Sequence, residues 1–147
     1  MNRRQQQAEA EQARQRALAL GEAGDGTGIP ELLGHCHHPM AAVRRAAASA
    51  LGKLTPCAEI GTAVPVLAEL VQDPHQQVRH YAIVALGRIG HESALPALRD
   101  ASQNPAASAV ILGAALAAIT RIAGLAAERQ AAAAGSCARC GRATTPE

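Results

Sequence analysis

The sequence predicts an all-α domain built from stacked, antiparallel pairs of helices. Its 147 residues are 48% hydrophobic but only 1% aromatic, so alanine, leucine, isoleucine and valine must fill the core. Alanine has the highest helix propensity and lets helix backbones approach closely. Proline-containing segments also recur at two similar intervals, from Pro30 to Pro65 and from Pro65 to Pro96. A repeat of that length is typical of helical solenoids.

Each first helix of the repeat is marked by an apolar residue, a proline, a spacer and a leucine. The three copies begin at Ile29, Val64 and Leu95. Proline suits the first turn of a helix, where its missing N–H would be unpaired anyway. A second proline follows at the same offset in each copy and ends the helix, because proline disfavours α geometry in the residue before it. These second prolines are Pro39, Pro74 and Pro105.

Each second helix is marked by an apolar stripe. Val78, Ala82, Leu86 and Ile89 recur at helical spacing, and the same pattern occurs one repeat earlier from Val43. In the third unit the pattern is looser, with Leu116 and Ile119 aligned with Leu86 and Ile89. No single helix pair could bury its stripe alone, so the pairs must stack.

These patterns predict the element bounds in chain order. Asp73 and Asn104 are candidates to accept hydrogen bonds from the backbone N–H groups that open the second helices. The predicted domain spans 1–134, followed by a flexible tail at 135–147, and Gly135 is expected to end the last helix. The domain comprises a half unit at 3–22, units at 29–54, 63–89 and 94–123, and a closing helix at 125–134. Within the units, helices are predicted at 29–37, 41–54, 63–72, 76–89, 94–102 and 107–123.

The middle unit carries a family resemblance. The segment Asp73-Pro74-x-x-x-Val78-Arg79-x-x-Ala82-x-x-Ala85-Leu86-Gly87-x-Ile89-Gly90-x-x-x-Ala94-Leu95-Pro96-x-Leu98 resembles the HEAT repeat, in the bacterial variety called PBS-lyase HEAT-like. The resemblance covers residues 17 to 122. It implies a right-handed superhelix with the second helices on the concave side, and in most cases a protein-binding scaffold. It also implies that aspartate and arginine side chains such as Asp73 and Arg79 bond between neighbouring repeats.

Several enzyme classes lack their required residues. HEAT-like iron hydroxylases use His-Glu pairs after the Val-Arg of several repeats, but here His80 is followed by Tyr81, and His91-Glu92 lies in a connection. The glycine-rich segment 24–28 lacks the lysine and preceding strand of a phosphate-binding loop. We therefore expect a protein that is not an enzyme and has no cofactor.

Location is predicted from targeting and membrane signals. The N-terminal segment carries no signal core or transit-peptide pattern, and we expect no run to approach the roughly 18 apolar residues of a membrane span. The sequence therefore predicts a cytoplasmic protein without a membrane partner.

Basic side chains at equivalent repeat positions predict a partner-binding surface. Arg14, Arg45 and His80 occupy equivalent positions, and Lys53 and Arg88 form a second equivalent pair. Arginine and tyrosine are enriched in protein-binding hot spots, and an acidic partner segment would suit this charge. A solvated charged face is the alternative. The predicted surface comprises Arg14, Arg45, Lys53, His80, Tyr81 and Arg88.

Two other functions remain open from the sequence. One is an accessory or chaperone-like subunit of an enzyme, including a lyase-type partner. The other is binding to a nucleic-acid backbone through the same arginines. A formal charge of +2 gives little support to nucleic-acid binding, which usually requires a strong basic excess.

Three of the four cysteines lie in contexts that suggest a role. Cys36 aligns with Val71 and is predicted to be a small core residue, with the nearby histidines as solvated turn residues. Cys137 and Cys140 form a Cys-x-x-Cys-Gly motif, which is half of a zinc knuckle. This motif could be a free flexible tail, half of a zinc site shared with another chain, or a redox-active pair.

A zinc measurement distinguishes the alternatives for Cys137 and Cys140. If the motif completes a shared site, purified protein will contain zinc, and Cys137→Ser will lose it because thiolates are the ligands. Elemental analysis of the two proteins provides the test. Equal and negligible zinc in both would remove the shared site.

Overall fold

The helices form two layers, one made of the first helices of the units and the other of the second helices. Along the chain, first and second helices alternate. The structure is a computed structural model that describes the backbone of residues 2–142 and the side chains of residues 2–134. Within these limits every regular element is helical, as predicted. The second helices are α1 (Arg3–Ala23), α3 (Ala41–Lys53), α5 (Gln76–Ile89) and α7 (Ala109–Arg142); the first helices are α2 (Ile29–His35), α4 (Val64–Leu70) and α6 (Leu95–Gln103).

The first helices are short and begin where the prolines predict. Each has its proline in the first turn, and each follows a 3-10 turn: Gly26–Gly28, Ala58–Ala63 and Glu92–Ala94. α2 and α4 end slightly earlier than predicted, because the chain turns after Cys36 and Val71 toward the second proline. Both of these residues remain almost fully buried.

The core lies between the two layers and is built from equivalent positions. The leucine that follows each first proline after one spacer is completely buried in all three units: Leu32, Leu67 and Leu98. The stripe on the second helices is also buried, with Val43, Val78 and Ile111 at most 2% exposed. Aliphatic burial of this kind, at roughly 25 cal/mol per Å² of apolar surface, is the main contribution to the stability of the stack.

Successive second helices approach each other through glycine and alanine. A Cβ atom added at Gly87 would lie 2.9 Å from the Cβ and 3.1 Å from the Cα of Ala118, so any side chain larger than hydrogen would separate α5 from α7. Adjacent second helices pack together extensively, whereas the first helices touch each other much less. The three close pairs are Gly21–Ala50, Gly52–Ala85 and Gly87–Ala118.

These pairs correct the alignment of the third unit. Ala118 is the structural counterpart of Ala85, and Ile111 is that of Val78, so the second helix of this unit lies further along the chain than the sequence pattern suggested. Leu116, which that pattern aligned with the buried Leu86, is 57% exposed. The first helix of the unit begins where its proline predicts, but α6 is nine residues long and α4 only seven, so the second helix of the third unit begins two residues later.

A buried ion pair joins the first unit to the second. The Arg44 Nε donates to Asp73 Oδ2 at 2.7 Å, and the Arg44 Nη2 donates to Asp73 Oδ1 at 3.2 Å. The Arg44 and Asp73 side chains are 13% and 5% exposed. Arg44 also donates from Nη1 to the carbonyl oxygens of His38 and Pro39. The predicted bond between neighbouring repeats is therefore present at this junction, with Arg44 rather than Arg79 as the donor.

The environment of Asp73 favours its ionised form. Burial by itself raises the pKa of this carboxyl, but the hydrogen bonds from Arg44 and from the His75 backbone N–H, together with the Arg44 charge, hold the pKa below its ordinary value. The ion pair consequently stabilises the fold at neutral pH.

The C-terminal part of the chain differs from the prediction. A helix at 107–123 and a separate closing helix at 125–134 were expected, but the backbone is one continuous helix, α7. A glycine in a helix interior costs about 1 kcal/mol relative to alanine. Gly124 does not end the helix, because the alanine-rich segments on both sides of it have a high helix propensity. The predicted helix stop at Gly135 is wrong for the same reason, and so is the start of a tail there. Residues 143–147 of that tail lie outside the described residues.

The apolar character of α7 exceeds the sequence-based expectation. The segment Ala109–Ala134 is long and apolar enough to cross a membrane by length and composition, so the expectation that no segment meets this criterion is wrong. Its inner face packs in the core through Ile111, Ala118 and Ile122. Its outer face leaves Val110 and Leu116 exposed. A core helix in the last repeat can meet the same criterion.

The glycine contact predicts an unusual response to alanine substitution. Gly87→Ala should destabilise the fold, since overpacking of about 1–3 kcal/mol opposes the gain of about 1 kcal/mol in helix propensity. Gly113→Ala is the matched control, because a Cβ there meets nothing within 4 Å, and it should stabilise by about 1 kcal/mol. Urea unfolding of both variants measures the difference. Equal stabilisation by the two substitutions would contradict the close contact.

The stability lost on removing the buried ion pair should depend on pH. Asp73→Asn should lower the free energy of unfolding by about 3 kcal/mol at pH 7, because it leaves the Arg44 charge buried without its partner. The lowered folded-state pKa means that the Asp73 contribution is present above the unfolded pKa of about 3.9 and is lost as pH falls through the folded value.

Denaturant unfolding of wild type and Asp73→Asn from pH 7 to pH 3 should therefore show a difference that narrows in acid. The exposed Asp100 supplies the control, and Asp100→Asn should remain close to wild type at pH 7. A gap between wild type and Asp73→Asn that stays constant with pH would exclude the ionic contribution.

Candidate protein-interaction surface

Arg14 is held by an acidic residue on its own helix. Its Nε and Nη2 donate to the Glu11 carboxylate at 2.9 and 2.6 Å. The hydrogen bonds from Arg14 and Gln15 lower the pKa of Glu11 to about 2. The charge of this predicted partner-binding residue is therefore balanced locally.

Lys53 is also paired with an acid. Its Nζ contacts the Glu22 carboxylate of α1, and this hydrogen bond lowers the pKa of Glu22. Glu22 and Lys53 occupy equivalent positions in successive units, so the stacking of α1 on α3 brings the two together. Arg88 occupies the equivalent position on α5. The row on this edge of the second helices thus begins with an acid and continues with bases.

Arg45 lies away from Lys53 and Arg88, toward the N-terminal ends of α3 and α5. Its Nη1 donates to Gln77 Oε1 at 2.7 Å. It lines a hollow of about 220 Å³ together with His75 and Gln76. Its hydrogen-bond partner is neutral, so the Arg45 charge is retained at this end.

His80 and Tyr81 form an edge-to-face pair on α5. Their ring centroids are 5.6 Å apart and their planes meet at 78°, a favoured aromatic arrangement. Tyr81 is 39% exposed, whereas His80 is half-buried. The His80 Nδ1 is buried without a hydrogen-bond partner among the described residues. Tyr81 is thus available to a partner, while His80 mainly packs against it.

Two adjoining hollows between α3, α5 and α7 form a second-helix groove. One of about 150 Å³ is lined in part by Lys53, Tyr81 and Arg88. The other, of about 190 Å³, is lined almost entirely by apolar surface. The hollows share Val84 and Arg88 and therefore adjoin each other across α5. The residues that define the second-helix groove are Ser49, Lys53, Tyr81, Val84, Arg88, Ala114, Ala117 and Arg121.

Arg121 is a candidate binding residue that the sequence analysis missed. It is the counterpart of Arg88 in the corrected alignment of the third unit, and it extends the same row onto α7. The alignment that the apolar pattern suggested for this unit concealed the equivalence. Arg88 and Arg121 are both exposed, and neither makes a salt bridge with a described residue.

The six predicted residues consequently fall into separate environments. Lys53, Tyr81 and Arg88 lie together in the second-helix groove, with His80 behind the tyrosine. Arg45 lies at the other end of the same helices, and Arg14 is on α1 beside Glu11. Their role in partner binding remains a prediction.

The cysteine and histidine cluster at the end of α2 has the structural role that the sequence predicted for Cys36. This residue is 1% exposed, and burial raises its pKa to about 12. Among the residues with described side chains, no group of three or more histidine, cysteine or acidic residues could hold a metal ion. Cys137 and Cys140 fall within the backbone of α7, but their side chains lie outside the described residues.

Comparison with protein families identifies the repeat. Residues 29–58 match the family described as HEAT repeat, and residues 55–120 match the family described as HEAT repeats. The two matches together span more than half of the chain, which therefore belongs to the HEAT-repeat proteins. The narrower PBS-lyase HEAT-like variety stays a prediction. Comparison with curated proteins gives no match. HEAT repeats generally serve as protein-interaction scaffolds and are generally non-enzymatic.

Proposed function

We propose that this protein is a non-enzymatic interaction scaffold that binds an acidic segment of a partner protein in the second-helix groove. The observation that carries the proposal is the pairing of an exposed apolar floor with two arginines, Arg88 and Arg121, that have no acidic partner among the described residues. A cytoplasmic location would suit this role and remains a prediction.

The apolar floor requires an apolar group from the partner. Val84, Ala114 and Ala117 line the hollow between α5 and α7. An aliphatic side chain seated there would gain roughly 25 cal/mol per Å² of apolar surface removed from water. Alanine and valine give a shallow floor, so the fitting group is a single side chain such as leucine rather than a large ligand.

The arginines require an acidic group close to that apolar side chain. Arg88 lines both hollows and Arg121 lines the second. A guanidinium can hold a carboxylate through two parallel hydrogen bonds, which gives geometric selectivity as well as charge attraction. The proposed partner segment therefore combines at least one aspartate or glutamate with an adjacent aliphatic residue.

The expected complex is transient. Tyr81 is the only aromatic residue of the Phe, Tyr and Trp class in the chain, and large aromatic residues dominate the strongest hot spots. We expect a dissociation constant around the micromolar range, which corresponds to about −8 kcal/mol.

A role as an accessory or chaperone-like subunit of an enzyme would use the same surface and differs only in the nature of the partner. Nucleic-acid binding has weaker support. Arg14 and Lys53 are paired with carboxylates, and the formal charge is only +2. A phosphate backbone is bound by several unpaired cations together.

Charge reversal in the groove should abolish selection of acidic peptides. Panning a random peptide display library against wild type should enrich segments that combine an acidic and an aliphatic residue. Arg88→Glu with Arg121→Glu should weaken the selected peptides at least tenfold, because attraction becomes repulsion. The charge-matched control is Arg4→Glu with Arg99→Glu, since both arginines are exposed and lie on α1 and α6, outside the groove. Fluorescence anisotropy measures each affinity.

The same assay separates the alternatives. Peptides without acidic residues, or peptides whose affinity is the same for the double variant and wild type, would contradict the proposed surface. Binding to a mixed-sequence oligonucleotide that falls steeply with salt, together with a lack of peptide enrichment, would favour the nucleic-acid alternative.

A further inference from the structure

The junction between the second and third units repeats only part of the bonding seen at the previous junction. Arg79 is the counterpart of Arg44 in the next unit, and its Nη1 donates to the carbonyl oxygens of Asp73 and Pro74 at 2.7 and 3.2 Å. The Nη1 of Arg44 makes the equivalent bonds in its own unit at 2.7 and 2.9 Å. The two guanidinium groups are therefore anchored in the same way.

The acceptor for the rest of the guanidinium differs between the two junctions. Arg44 donates from Nε and Nη2 to the Asp73 carboxylate of the next unit. At the next junction the corresponding residue is Asn104, and Arg79 donates from Nε and Nη2 to no described residue.

Asn104 is held in the same local conformation as Asp73. Asn104 Oδ1 accepts a hydrogen bond from the Ala106 N–H at 2.9 Å, and Asp73 Oδ1 accepts one from the His75 N–H at 2.9 Å. With Oδ1 used in this way, the remaining polar atom of Asn104 is the Nδ2 amide, which can only donate. At this junction a hydrogen-bond donor, the Asn104 Nδ2, therefore stands where Asp73 has the oxygen that accepts from the Arg44 Nε.

A cavity of about 250 Å³ lies at this junction. Arg79 and Asn104 both line it, with Gln72 as a further polar residue and Ala101, Ala107 and Ile111 as apolar walls. Asp73 also contributes to the lining, but its carboxylate is already paired with Arg44. In this cavity the Nε and Nη2 donors of Arg79 make no hydrogen bond to a described residue, and the Asn104 amide provides a further donor.

We propose that this cavity is a carboxylate-binding site, in which an incoming carboxylate takes the place that Asp73 fills at the preceding junction. The two oxygens would accept from the Nε and Nη2 of Arg79, and the Asn104 amide would donate to one of them. The carboxylate comes from a small free ion or from an acidic side chain. The site lies among the loops between the layers and is distinct from the second-helix groove.

Substitution of Asn104 by aspartate supplies the missing carboxylate within the chain. Thermal unfolding of wild type should show a rise in Tm with sodium acetate beyond that with sodium chloride at equal ionic strength, growing with concentration as expected for a ligand that binds only the folded state. Asn104→Asp should have a higher Tm than wild type without acetate, and its specific response to acetate should disappear.

Arg79→Gln provides a second variant in which acetate should have no specific effect. A spectroscopic readout places binding at the site directly: the Arg79 Nε–H resonance, assigned by its loss in Arg79→Gln, should shift in wild type as acetate is added. Comparison of N-acetyl-aspartate amide with acetate then separates the sources, since tighter binding of the former indicates a side chain and equal binding indicates a small ion.

Two results would overturn the site. One is an equal acetate response in wild type, Asn104→Asp and Arg79→Gln, which would mark a general salt effect. The other is an unchanged Arg79 Nε–H resonance at acetate concentrations that raise Tm.

Discussion

The structure depends on the close approach of successive second helices through glycine and alanine. At Gly21, Gly52 and Gly87 the neighbouring helix lies so near that a Cβ atom would be 2.9 to 3.3 Å from it. This separation holds α1, α3, α5 and α7 in one tightly packed layer. Side chains that are about one repeat apart in sequence therefore become neighbours in space. The pairing of Glu22 with Lys53 and the shallow floor of the second-helix groove both follow from that separation.

The aspartate position of the repeat is occupied differently at the two junctions between units. At the first junction Asp73 completes the hydrogen bonds of Arg44, and the result is a buried, fully paired contact between units. At the second junction Asn104 differs by one terminal group, and the equivalent arginine lines a cavity instead. Buried charges need partners because desolvation is costly. A junction whose arginine meets no carboxylate among the described residues is therefore suited to receive one from outside.

The electrostatic character of the surface is local rather than general. The sequence carries a small positive charge, yet Arg14 and Lys53 are balanced by carboxylates, and Arg44 is used inside the fold. Arg88 and Arg121 have no acidic partner among the described residues, and both lie next to apolar surface. Such a combination favours a small, mixed recognition element over an extended polyanion, because a polyanion needs many unpaired cations along its length.

The sequence by itself determined the helix pairs, the family and the buried stripes, because proline positions, helix propensity and apolar periodicity act within a few residues of one another. It also identified Cys36 as a core residue. Only the tertiary structure decided which charges are paired, since Glu22 meets Lys53 through the stacking of one unit on the next. It also decided that α7 continues through Gly124, which does not adopt the left-handed conformation in which Gly24 and Gly90 end α1 and α5. The tertiary structure also placed Arg121 in the groove. The position of Arg121 relative to Arg88 depends on how α7 packs against α5, and local sequence spacing carries no such information.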